Sequence, residues 1–320
     1  MLALEDRYGQ VCLVPDIAVS VQAEPTDLTS WLTLARRLES AGFRALVMGD
    51  HPGSGASPWA ALGSAAAVTQ TLRLGTYVVQ AGVREPMQVA ADAATLDILA
   101  PGRVRLGIGA GHTPREWEDI GWHRPAPRER AGRLAEFVDA IARLLRGDAV
   151  SREGPYLTLR GSRLEGLPVG GNVELLVGGG HPEVLRAAAR WADVVGLSGL
   201  GRTLPDGHNH EARWSRADLQ RQLQVVWDEA QRAGSAPVVE ALVQQVIATE
   251  DRASSVAEIS ARIPGASPED VARTPFLLIG TYEEMAAQML AQANEFGISS
   301  YVVREPAVPD IERVAALLKA

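Results

Sequence analysis

The stretch Leu72–Trp122, LRLGTYVVQAGVREPMQVAADAATLDILAPGRVRLGIGAGHTPREWEDIGW, decides the fold. Two apolar runs rich in Leu and β-branched residues, Leu72–Val79 and Val104–Ile108, bracket a helical pattern from about Glu85 to Leu99. In that pattern Val89, Ala93, Leu96 and Leu99 recur at steps of three and four, and Pro86 stands in the first turn. Strand, helix and strand over roughly 35 residues make a βαβ unit. Nearly continuous apolar runs are what strands buried on both faces of a parallel sheet require. Each run ends on small residues: Gln80-Ala81-Gly82 after the first, Gly109-Ala110-Gly111-His112 after the second. Small residues at a strand end let a ligand approach the main chain.

The same alternation extends outward. Tyr8–Val14 is a candidate first strand, with Ile17–Val21 as an extension. Asp27 opens a helix with an apolar face of Leu28, Trp31, Leu32, Ala35 and Leu38, closed by Gly42. Phe43–Met48 is a second strand, ending on Gly49-Asp50-His51. Ser57 and Pro58 open the next helix. The loop Arg124–Glu129 leads into a long amphipathic helix reaching Arg146. Tyr156–Leu159 and Arg163–Leu167 read as a small hairpin outside the repeat. Glu174–Val177 is a fifth strand ending on Gly178-Gly179-Gly180, and Asp193–Leu197 a sixth ending on Ser198-Gly199. Residues 199–212 lack periodicity and read as an insertion or mobile lid. Val238–Thr249 is a seventh strand, 250–275 a stretch of short helices, and Ile298–Val303 an eighth strand.

Eight strands alternating with helices predict a (β/α)8 TIM barrel with insertions, one domain over residues 1–320. A doubly wound sheet is the main alternative. Glycine runs after strands two to six favour the barrel, which gathers all those ends around one mouth. No G-x-G-x-x-G follows the first strand, so a nicotinamide dinucleotide fold has no support.

Composition narrows the function classes. Of 320 residues, 46% are hydrophobic, enough for a large core. The net charge is −8 with no basic block, and Lys319 is the sole lysine, which argues against a nucleic-acid partner. Cys12 stands alone, so no intrachain disulfide or cysteine zinc cage can form. That fits a reducing cytosol. No apolar run reaches membrane length and the first residues show no secretion signal, so the expected location is the cytoplasm.

Several residues at strand ends are candidates for chemistry. On spacing alone His51 is either a proton-transfer group at the mouth or a loop histidine capping a helix. Asp50 orients it or binds loop backbone. Gly109 and Gly111 either admit a flat ring or serve a tight turn, and His112 adds a second titratable group there. Gly178, Gly179 and Gly180 precede a helix N-terminus, where backbone amides and the helix dipole favour a phosphate over a mere flexible turn. Glu116, Trp117 and Trp122 read as structural. Arg128, Arg130 and Arg133 with Glu129 and Glu136 read as an ion-paired helix entry. His208 and His210 form a loose pair without further ligands at metal spacing, so no metal site is expected.

Asp50-His51, LRLGTYVV, REP, ATLDILAPGRVRLGIGAGH, Arg130-x-x-Arg133-Leu134-x-Glu136, LLVGGG and WADVVGL together resemble the luciferase-like flavin oxidoreductases, in particular their coenzyme F420 (deazaflavin) branch. The resemblance spans nearly the whole chain and is dense from 43 to 197. It implies a flavin or deazaflavin at the C-terminal mouth of the barrel and a cis peptide at Tyr77–Val78 behind the ring. Tyr77, Val78 and Val79 would shape the ring's back face, and Gly178–Gly180 with Ser198 would hold the phosphate. His51 and His112 would be the acid/base candidates. The implied activity is hydride transfer between F420 and a small organic substrate. The alternatives are a reduced-FMN monooxygenase of the same fold and a barrel that binds flavin without catalysis. A homodimer, and a separate flavin or F420 reductase as supplier of reduced cofactor, are implied in the same way. Two departures bear on substrate. The family's sugar-phosphate dehydrogenases carry a Glu where His112 stands, and a Trp soon after Asp-His that the loop PGSGAS lacks. A sugar-phosphate substrate is therefore not carried over.

Overall fold

Eight short parallel strands close into a barrel in sequence order. They are β1 (Ala18–Gln22), β2 (Ala45–Met48), β3 (Arg73–Gln80), β4 (Val104–Gly109), β5 (Glu174–Gly178), β6 (Val194–Leu197), β7 (Val238–Leu242) and β8 (Ile298–Arg304). Each pairs in parallel with its successor, and β8 returns to β1. The computed structural model describes residues 3–5, 11–13, 16–167, 173–204, 210–263 and 265–319. The expected barrel is therefore the observed one.

Two apolar layers hold it together. The outer layer fills the space between strands and helices, with Leu46, Leu74, Leu106 and Val177 meeting Leu38, Leu62, Val138 and Leu185. The inner layer is small: Ala45, Val47, Tyr77, Leu176, Val194, Leu242 and Val302. The rest of the interior is polar. Arg105 on β4 and Glu240 on β7 are fully buried and paired at 2.8 Å. Glu174 on β5 lies 3.0 Å from the Arg105 Nε and also pairs with Arg44. Ser300 donates to Glu240 at 2.7 Å, and Arg105 donates to Ser20 at 3.4 Å. Burial opposes the charge on Arg105, but Glu240 and Glu174 outweigh it and hold the guanidinium pKa above its ordinary value.

That interior corrects the first strand. β1 is Ala18–Gln22, which matches the extension Ile17–Val21 and not Tyr8–Val14. Ser20 faces the buried Arg105, so a polar residue interrupts the apolar run that would have marked the strand. Val11–Leu13 instead pairs antiparallel with Ala3–Glu5 outside the barrel, and Tyr8 and Val14 lie outside the described residues. The expected seventh strand is two strands. β7 stops at Leu242, and Gln245–Ala248 pairs in parallel with Leu277–Gly280. The Val243 amide still reaches the Val302 carbonyl on β8, but the next amide, Gln244, turns to Phe276. The small hairpin exists, but as Val150–Glu153 with Thr158–Ser162. Within 199–212, Leu200–Thr203 pairs with His210–Ala212, so the described part of that insertion is a hairpin. Two short helices, Arg252–Arg262 and Pro268–Arg273, fill 250–275 as expected.

β3 and β4 approach unusually closely. A Cβ on Gly75 would stand 1.8 Å from the Arg105 carbonyl oxygen, and one on Gly107 2.3 Å from that of Thr76. Both obstacles are main chain, so no rotamer change relieves them. Gly75→Ala is expected to destabilise the barrel by about 1–3 kcal/mol or more, read as a lower urea midpoint. An unchanged midpoint would contradict this packing.

Candidate active site

The C-terminal ends of the strands bring together most of the residues singled out above. His51 follows β2, and its Nδ1 lies 2.7 Å from Glu116 Oε1. Glu116 comes from a short helix, α1 (Pro114–Glu118), started by a proline at its first position. The helix turns Glu116 and Trp117 inward, leaving them 3% and 1% exposed. The other Glu116 oxygen accepts a hydrogen bond from the Gln80 side-chain amide at the end of β3. Imidazole, carboxylate and amide thus form one chain across three strand ends. Hydrogen bonding to Glu116 raises the His51 pKa, outweighing the effect of burial, with Glu24 and Asp50 adding attraction. Because Nδ1–H donates to the carboxylate, Nε2 is left to accept when the ring is neutral and to donate when it is cationic. Glu24, past β1, is itself raised by desolvation.

Asp50 does not bind the His51 ring. Arg84 grips it with two bonds, of 2.7 and 3.0 Å, and the Gln80 main-chain N–H reaches it at 3.4 Å. Arg133, from the helix Pro127–Leu145, in turn donates to the carbonyls of Ala81, Arg84 and Tyr156. These forks brace the loop after β3 against the loop after β2. The expected ion-paired helix entry is thus mostly something else. Arg133 binds main chain as well as Glu85, Glu136 accepts from the Tyr156 and Leu157 amides, and Glu129 caps Ala126.

The Tyr77–Val78 peptide is cis. The Gln22 side-chain amide holds the Tyr77 carbonyl at 3.0 Å. Tyr77 itself points into the barrel, where burial pushes its hydroxyl pKa up. Val78 packs beside Gly109 and Gly178: a Cβ on Gly109 would stand 2.5 Å from Val78. Gly111 is likewise hemmed in by Gln80 and Trp117, with a backbone φ of +76° that favours glycine. Val79 departs from the expectation that it lines the mouth. It is fully buried in the outer layer, past a register shift in the β3–β4 ladder between Thr76 and Val79.

The glycine turn after β5 offers fewer free amides than its sequence suggests. Gly179 donates to the Gly196 carbonyl at 3.1 Å. The following helix is Pro182–Trp191; Pro182 has no amide hydrogen, and the Glu183 amide is capped by His181 Nδ1. Among the described residues that leaves the Gly180 and His181 amides without a hydrogen-bond partner. Gln222 adds a side-chain amide 2.8 Å from where a Gly180 Cβ would stand. The Ser198 carbonyl accepts from Gln244 at 2.9 Å, and its hydroxyl accepts from the Leu200 amide at 3.4 Å.

His112 joins the mouth by a different route. Its ring lies 6.2 Å from that of His51 and 5.0 Å from that of His210. Desolvation and the neighbours His210, His51, Arg124 and Arg130 push its pKa down to about 4. His112 is thus shifted in the opposite direction to His51, whose pKa Glu116 raises. Arg124 and Arg130 each stand 6.0 Å from the Trp117 ring centre. Trp122, by contrast, is exposed. His208 lies outside the described residues. Among the described residues no three His, Cys, Asp or Glu side chains converge as a metal cage, and no helix is long and apolar enough to cross a membrane.

Glu116, Gln80, Arg84, Gln22 and Glu24 are the site residues that sequence reasoning missed. The available signal was their position, each within eight residues of a strand's C-terminal end. Glu116 in particular is 65 positions from its histidine partner.

Several known proteins resemble this chain in sequence or fold. Over 198 residues the chain is 36% identical to the F420-dependent glucose-6-phosphate dehydrogenase of Beutenbergia cavernae, covering 58% of this chain and 57% of that protein. Over 149 residues it is 37% identical to the 4-hydroxyprotoasukamycin monooxygenase of Streptomyces nodosus, covering 44% and 39%. The matches therefore span little more than half of these relatives at most. The coenzyme F420-dependent tetrahydromethanopterin reductase of Methanopyrus kandleri shares the fold at a TM-score of 0.72 and 18% identity, over 94% of this chain and 97% of that one. A model of one family, described as luciferase-like monooxygenase, matches residues 9–300. The chain belongs to the luciferase-like monooxygenase family.

Proposed function

We propose that this protein is an oxidoreductase that moves a hydride between coenzyme F420 and a small organic substrate. The observation that carries the reading is the His51–Glu116–Gln80 chain, set beside the Val78 and Gly109 wall at the barrel mouth. The 36% identical relative whose name states F420 dependence supports the choice of cofactor.

The residues present fit a deazaflavin. The side-chain oxygens of Gln22 and Gln80 are buried without partners at the ends of β1 and β3, as acceptors for ring N–H groups would be. Val78 backs the ring and Gly109 keeps that wall flat. The Gly180 and His181 amides, with Gln222, would hold the phosphate. When bound, the cofactor supplies the hydride-carrying carbon.

The protein supplies position and a proton. Glu116 fixes the His51 tautomer and favours its cation, so Nε2–H donates to the oxygen of a substrate carbonyl or holds the proton released from an alcohol. Gln80 fixes Glu116. Arg84 and Arg133 keep the two loops in register, so the imidazole does not swing away.

Anaerobic mixing tests this. F420 with a panel of alcohols and imine precursors is expected to lose its oxidised absorbance. No change with any of them, together with oxygen consumption on adding reduced FMN, would replace this reading by the monooxygenase one that the second relative favours. Gly179→Asp sets a negative charge beside the phosphate turn and presses on Val184, 2.9 Å from the added Cβ. F420 affinity is expected to fall about 10–100-fold, read by absorbance titration. Unchanged affinity would move the phosphate elsewhere. The homodimer and the separate reductase belong to this reading by family resemblance.

A further inference from the structure

Two arginines at the mouth are not used by the reading above. Arg124 and Arg130 flank the entry to the helix Pro127–Leu145, and both stand over the Trp117 ring. Neither has a carboxylate partner among the described residues, although most other arginines near the mouth do. Arg84 has Asp50, Arg133 has Glu85 and Arg115 has Asp119. The bonds they do make are few and leave most of the fork free. Arg124 donates to the Thr203 hydroxyl at 3.4 Å and Arg130 to the Pro125 carbonyl at 2.7 Å. Their Nε atoms and the Trp117 indole nitrogen are buried without a partner.

Two guanidinium groups held together without a counter-charge repel each other. Burial and the neighbouring Arg124 push Arg130 down to about 10. Two histidine rings 5.0 Å apart, His112 and His210, share the same neighbourhood. No described carboxylate offsets this group, in a chain whose net charge is −8. A protein that is acidic overall yet gathers four basic side chains at one mouth has built a place for an anion. Guanidinium forks on an aromatic face match the planar oxygens of a carboxylate or phosphate.

We propose that Arg124 and Arg130, with His112 and His210, form an oxyanion subsite that takes a carboxylate or phosphate group entering the barrel mouth. This rests on the reading of the mouth as an F420 site and deepens it: the turnover substrate carries an anionic group, or the cofactor's own acidic tail lies there. His112, neutral when the subsite is empty, gains a proton when the anion arrives and becomes a further donor to it.

The test uses the full chain without cofactor, so it is separate from whether F420 binds. Inorganic phosphate is titrated while the His112 and His210 imidazole resonances are followed by NMR. In the wild type, phosphate is expected to perturb both resonances saturably and to raise the His112 pKa. In Arg124→Gln/Arg130→Gln the apparent phosphate affinity is expected to fall at least about tenfold. Arg128→Gln, an exposed arginine on the same helix, is expected to behave as wild type. Equal response in the wild type and the double variant, or no response in the wild type, overturns the proposal. Circular dichroism of the double variant checks that it folds. If it does not, Arg130→Lys, which keeps the charge but loses the fork, must weaken phosphate while remaining folded; full phosphate affinity in that variant overturns the fork assignment.

A second arm assigns the source of the anion within the proposal. F420 and its tail-less riboside are titrated into the wild type and the double variant. A selective loss of F420 affinity places the cofactor tail at the subsite. Equal affinities place the substrate's anion there, and anionic substrates should then lose KM but keep kcat in the double variant. Failure of both F420 and the riboside to bind the wild type would remove the proposed function and leave the phosphate result standing.

Discussion

Glu240→Ala is expected to cost about 3–5 kcal/mol of folding stability, because it strands the charge of Arg105 inside the barrel. Arg105 and Glu240 are both fully buried. Glu174 remains within 3.0 Å of the guanidinium, but it is shared with Arg44. Ser300 also loses its acceptor. A surface pair of the same geometry would give about 0–1 kcal/mol, so the size of the effect reports burial rather than pairing. The urea midpoint of the variant measures it. The control is Arg105→Met/Glu240→Leu, which removes both charges and is expected to recover at least half of the loss. A midpoint for Glu240→Ala within error of the wild type would mean that water reaches this layer.

The second large effect is at the mouth. His51→Ala is expected to lower turnover by about 10²–10⁴-fold while cofactor affinity changes only a few-fold. On the proposed mechanism the removed ring would touch the reacting oxygen in the transition state, whereas the proposed ring wall and phosphate turn would stay intact. Equal loss of both quantities would make His51 a binding group. The pH profile carries the sign. Glu116 raises the His51 pKa, so carbonyl reduction, which needs the cation, persists above pH 6.5 and is lost as pH rises through the raised value. Glu116→Gln removes that attraction and is expected to shift this limb to lower pH. A limb that stays in place, with a uniformly lower rate, would assign Glu116 to packing alone.

The architecture was legible because most residues of the buried parallel strands are apolar, even though a few polar ones face the barrel interior. β2, β3, β4, β5, β6 and β8 all appear in the sequence as such runs, each within a few residues of its observed bounds. β1 was legible only as the extension Ile17–Val21, because Ser20, which serves the buried Arg105, interrupts its apolar run. The end of β7 was hidden because Val238–Thr249 keeps its apolar character while the chain changes hydrogen-bonding partner at Gln244. A hydrophobicity pattern records which residues are buried, not which strand they pair with.

The same distinction divides the site. His51, His112 and the glycines stood out because they sit at strand ends. Glu116 reads as the acid of a charged segment, Pro114-Arg115-Glu116-Trp117-Glu118, with exposed neighbours on both sides of the buried pair. Only the tertiary fold reveals that one of its two glutamates turns inward to a histidine 65 positions away. Val79 shows the converse: a residue in the right segment whose side chain, one step beyond Val78, faces the wrong layer. Arg130 read as ion-paired because Glu129 and Glu136 are close in sequence, but those acids are engaged by main-chain amides instead.

One measurement bears most directly on the mouth as a redox-cofactor site: equilibrium absorbance titration of the purified chain with oxidised F420 and, separately, with FMN. The predicted result is saturable one-to-one binding of F420, weakened when Gln22 and Gln80 are replaced together by Leu, with FMN binding more weakly or not at all. The absence of saturable binding by either coenzyme would contradict it.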